Sequence, residues 1–85
     1  MAFDANAAQS RDLWYRLGLS QAATVRDVRR AFAERTQALA TMGLSQPAAG
    51  VVLKGFMQAR DVLVDRTKRA AYRTGRWTHA LSHFL

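Results

Sequence analysis

Two apolar stripes of helical period, separated by a glycine and a proline, constrain this chain more than any other feature. In "TVRDVRRAFAERTQALATMG", Val25, Val28, Phe32 and Leu39 fall along one side of a helix, and Arg26, Arg29, Arg30, Glu34 and Gln37 lie largely off it. Thr24 followed three residues later by Asp27 is an approximate capping box, with aspartate in place of the usual glutamate. Gly43 ends the pattern. Arg35 and Thr36 interrupt the stripe, so this helix is expected to pack mainly through its first half. The second stripe is Val52, Phe56, Ala59 and Leu63, spaced four, three and four residues apart and running through about Val64. Pro47 suits its first turn, with Ser45 or Gln46 as cap. Gly55 inside it costs roughly 0.5–1 kcal/mol against alanine, which points to close helix contact there.

Shorter helices flank this pair. In "RDLWYRLGL", Leu13, Trp14 and Leu17 sit at helical spacing, Gly18 is placed to end the turn, and Asp12 stands four before Arg16, the order that favours an ion pair. Asp65 is placed to cap a last helix, "RTKRAAYRTG", which Gly75 ends. No window alternates with period two, so no strand is expected. The reading is an all-α domain: a hairpin of two long antiparallel helices with short flanking helices. Residues 1–10 read as a flexible, alanine-rich lead, 11–75 as the domain and 76–85 as an amphipathic tail. Trp77, Leu81 and Phe84 recur at four and three residues along that tail. They are expected either to fold back over the hairpin or to meet a partner's helix groove or a second copy of the chain.

Size and charge bound the function. A chain of 85 residues with 49% apolar content supports one small core. There is no cysteine, hence no disulfide and no thiolate metal site. "MAFDANAAQS" lacks the basic start and apolar core of a signal peptide. The longest uncharged apolar run, "AAGVVL", falls far short of a membrane span, so a cytoplasmic protein is expected. Net charge is +7 and the isoelectric point about 11.4, which favours acidic partners. Eleven of the thirteen basic residues are arginine, the side chain better suited to bidentate contact with carboxylate or phosphate. Charge of this kind also simply solvates a surface, so it names no partner by itself.

Catalytic chemistry is not visible. The serines lie in caps and loops, with no nucleophile elbow and no phosphate-cradling glycine loop. Asp61 and Asp65 are four apart but stand among Arg60, Arg66 and Arg69. His79 and His83 have a spacing that can bind metal, yet no third ligand type is near. No enzyme activity, cofactor or metal is expected.

Two blocks then point to a family. "DLWYRLGLSQAATVRDVRRAF" resembles, without a gap, the opening of a J domain of the DnaJ family, D-x-Y-x-x-L-G-[LV]-x-x-x-A-[TS]-x-x-[DE]-[IV]-[KR]-[KR]-A-[FY]. Asp12, Leu17, Gly18, Leu19, Ala23, Thr24, Asp27, Val28, Arg29, Arg30, Ala31 and Phe32 match, and Trp14 takes the usual tyrosine position. "FMQARDVLVDRTKRAAY" is similar to I-x-x-A-Y-x-V-L-S-D-x-x-K-R-x-x-Y: Ala59, Val62, Leu63, Asp65, Lys68, Arg69 and Tyr72 match, while Arg60 replaces a tyrosine. The blocks are separated as the family requires, and together the resemblance covers residues 11–75.

The resemblance implies a J fold and a co-chaperone context. In active J domains the second helix is followed by histidine-proline-aspartate, which engages a DnaK-type chaperone together with basic residues of that helix. Counting on from Phe32, its place here is held by Ala40, Thr41 and Met42, with no imidazole, no proline and no carboxylate. The expectation is therefore a J-like protein–protein interaction module, an adaptor or regulator that does not stimulate a DnaK-type ATPase. Its partner is another protein, such as a J protein or a DnaK-type chaperone. The candidate contact residues are Arg26, Arg29 and Arg30 on the helix face and Ala40, Thr41 and Met42 at its end, with Trp77, Leu81 and Phe84 as a second contact. The alternative is a small basic nucleic-acid-binding protein. No helix-turn-helix spacing or aromatic stacking platform accompanies the charge to support it.

Overall fold

The computed structural model describes residues 5–73, and every regular element among them is a helix: α1 (Ala5–Ala8), α2 (Leu13–Arg16), α3 (Val25–Ala40), α4 (Gln46–Val64) and α5 (Arg66–Arg73). The caps explain the boundaries. The Thr24 hydroxyl accepts from the Asp27 N–H at 3.1 Å and the Asp27 carboxylate accepts from the Thr24 N–H at 3.0 Å, so the reciprocal box opens α3. The Thr24 N–H foremost, then the Thr24 hydroxyl, hold the Asp27 carboxyl below its ordinary value, helped by the charges of Arg30 and Arg26. Ser45 caps α4, with Pro47 in the first turn, where a missing N–H costs nothing. Asp65 ends α4 and accepts from the Lys68 N–H at 3.0 Å, which starts α5. Gly18 and Gly43 adopt φ of 70° and 68°, the left-handed turn after α2 and α3 that a side chain would resist.

The connection from α3 to α4 is short, so the two helices return along one another and bury their stripes together. Val52, Phe56, Ala59, Val62 and Leu63 of α4 are buried, and Val28, Ala38 and Leu39 meet them from α3. Leu13, Trp14 and Leu17 close the core from α2. The burial along α3 differs from the sequence expectation. Its second half contributes Ala38 and Leu39, whereas Phe32 and Val25 are only partly buried. The Phe32 ring is instead covered by Arg60, whose guanidinium lies 4.3 Å from the ring centroid and also pairs with Asp61 at 2.9 Å. Arg60 thus shields an aromatic that the core does not fully enclose.

Two further details differ from the sequence reading. Within residues 1–10, read as a flexible lead, Ala8 is buried, and a Cβ on Gly55 would come within 3.2 Å of the Ala8 carbonyl oxygen. The close approach read from Gly55 is therefore real, and its partner is α1. Asp12 and Arg16 do not form the expected ion pair. The Asp12 carboxylate accepts from the Trp14 and Tyr15 N–H groups as the cap of α2, and Arg16 turns inward. No helix among the described residues is long and apolar enough to cross a membrane.

Candidate partner-binding face

Helical spacing places Arg26, Arg29 and Arg30 on one side of α3, in the two turns after the cap. All three are exposed, and none makes a hydrogen bond or ion pair among the described residues. Glu34 is four residues beyond Arg30, yet no ion pair joins them. The face therefore presents three guanidiniums, each with its five donors open to solvent or to an acidic partner. No described residue anchors these long side chains, so ordering them on any surface costs conformational entropy.

The three residues counted as the tripeptide position do not form one exposed loop. Ala40 is the last residue of α3, and Thr41 is its C-cap, with the N–H donating to the Ala38 carbonyl at 3.0 Å and the hydroxyl donating to the same oxygen at 2.8 Å. Met42 is partly buried against the core. Ala40 and Thr41 are exposed and carry no charge. A proline at 41 would lose the N–H bond to Ala38 and push residue 40 out of helical geometry. Restoring histidine-proline-aspartate here would therefore require α3 to end earlier. Trp77, Leu81 and Phe84 of the tail lie outside the described residues, as do His79 and His83. No group of three or more metal-ligating side chains occurs among the described residues.

The far side of the domain is fastened by Tyr72. Its hydroxyl accepts from the Leu13 N–H at 2.8 Å and donates to the Arg11 carbonyl at 3.4 Å, tying α5 to the start of α2. Arg73 adds a hydrogen bond to the Gln21 carbonyl, and its guanidinium lies 5.5 Å from the Trp14 ring centroid. Burial raises the Tyr72 hydroxyl above its ordinary 10.0, against the Leu13 N–H, which lowers it. The neutral phenol is thus favoured by folding: its contribution is complete below pH 10.0 and is lost as pH rises through the folded value. Thermal melts across this range should show wild type losing stability on alkalinisation more steeply than Tyr72→Phe. Equal slopes would contradict the fastening role.

The chain matches no protein-family model, no curated protein and no solved structure.

Proposed function

We propose that this chain is a J-like protein–protein interaction module, an adaptor or regulator in a co-chaperone setting, working without enzymatic chemistry or a cofactor and without stimulating a DnaK-type ATPase. The observation that carries the reading is the pair of in-register blocks, "DLWYRLGLSQAATVRDVRRAF" and "FMQARDVLVDRTKRAAY", on either side of a helical hairpin. The exposed arginines Arg26, Arg29 and Arg30 are the contact surface in this reading, and a cytoplasmic location follows from it. At the position of the activating tripeptide, Ala40 and Thr41 belong to a helix end and Met42 leans on the core, so no acid or imidazole is offered there. The test is a single-turnover ATPase assay with a purified DnaK-type chaperone. No acceleration is expected at micromolar concentrations of this protein, and stimulation comparable to that by an active J domain would refute the proposal.

A further inference from the structure

An open groove of about 740 Å³ runs beside α4, with Arg16, Val51, Lys54, Met57, Asp61 and Lys68 among its lining residues. None of its lining comes from α3, so it is separate from the face carrying Arg26, Arg29 and Arg30. Its base holds an unusual charge. Arg16 is only 7% exposed, and it donates from Nε and Nη2 to the Ser10 carbonyl and from Nη1 to the Gly55 carbonyl and the Gln58 Oε1. A guanidinium has five N–H groups, so one Nη2 hydrogen is left without an acceptor among the described residues. All these acceptors are neutral, and among the described residues no carboxylate lies within ion-pair distance of Arg16. A buried cation without a counter-charge is costly to keep, and a carboxylate brought to it gains more than at the open surface. Among the described lining residues Asp61 is the one carboxylate, and Arg60 already engages it. Arg16 and Lys54, among the described lining residues, stand against it as cations.

The rest of the lining suits a peptide better than a small ion. Val51 and Met57 are 59% and 40% exposed, large apolar side chains with no cover from the described residues. From Val51 to Val62 the groove follows α4 for about 16 Å, the length of three helical turns. We infer that this groove binds an acidic amphipathic helix of another protein, its glutamate or aspartate facing Arg16 and Lys54 and its apolar residues covering Val51 and Met57. The inference rests on the groove alone and stands or falls separately from the J-like reading.

The test is fluorescence anisotropy of the full chain with a labelled helical peptide carrying leucine at i, i+3, i+4 and i+7 and glutamate at the positions flanking that stripe. A control peptide has glutamine for every glutamate. The glutamate peptide should bind about tenfold more tightly than the control. Lys54→Glu and Val51→Asp, both at exposed positions and so tolerable to the fold, should each weaken it by about tenfold, while the Arg29→Ala/Arg30→Ala variant binds as wild type does. The Arg16 Nε–H signal should shift on peptide addition in a nitrogen–proton correlation spectrum. Equal affinity for both peptides, no effect of the two groove variants, or equal weakening by the α3 variant would overturn the assignment. So would displacement of the peptide by an equally charged oligonucleotide at lower concentration, which would make the site one for phosphate.

Discussion

Phe56→Ala should cost ~3–5 kcal/mol, because Phe56 is 0% exposed and belongs to the core cluster that α2, α3 and α4 share. A domain of 85 residues has a total stability of about 4–13 kcal/mol, so this one truncation should take a large share of it. Phe32→Ala is the informative comparison. The sequence assigns both phenylalanines to the core, but Phe32 is only partly buried and one side of its ring meets Arg60. Its truncation should cost about half as much, since less apolar surface and part of a cation–π contact are lost. Chemical denaturation of the two variants checks the order. A Phe32→Ala protein less stable than Phe56→Ala would show that the α3–α4 packing described above is wrong.

Trp14→Ala should be comparably damaging, at ~3–5 kcal/mol, for Trp14 is 2% exposed and the largest side chain of the core. Its loss should have a second consequence that a simple cavity would not. The Arg73 guanidinium lies over this ring while its hydrogen bond runs to Gln21, so removing the indole weakens the attachment of α5. Hydrogen exchange in α5 should therefore rise more than exchange at the centre of α4. Uniform loss of protection across the helices would remove Trp14 from that role and leave it as core filling. Because Trp14 and Phe56 belong to one buried cluster, the double variant should not be additive and is expected not to fold.

Local chemistry explains what the sequence made legible. The Thr24–Asp27 box, the Ser45 and Asp65 caps and the turn glycines act over three or four residues, so their signals are contiguous in the chain. The stripe Val52, Phe56, Ala59 and Leu63 is equally local, because helical period alone puts those positions on one face. The same period identified Arg26, Arg29 and Arg30 as an exposed face. What was not legible depends on residues distant in sequence. Arg16 could be read as the partner of Asp12 only while Gly55 and Gln58, about forty positions on, were out of view. Ala5–Ala8 resembles a frayed lead because alanines carry no amphipathic signal; only Gly55 makes room for that backbone. The end of α3 falls between two readings: the sequence pattern stops at Gly43 and the resemblance puts the tripeptide position at residues 40–42, whereas the helix runs through Ala40 with Thr41 as its C-cap.

Capture from native lysate at rising salt most directly tests the central claim, an interaction module that binds protein through the α3 arginines. Wild type and an Arg26→Ala/Arg29→Ala/Arg30→Ala variant are used as bait, with nuclease-treated and untreated samples read by mass spectrometry. The account predicts a discrete protein partner, retained after nuclease treatment, falling modestly with salt and lost in the variant while the variant's melting temperature is unchanged. Phosphate binding would instead fall steeply with salt. Recovery of nucleic acid with its associated proteins, abolished by nuclease, or a protein partner held equally by the variant, would contradict it.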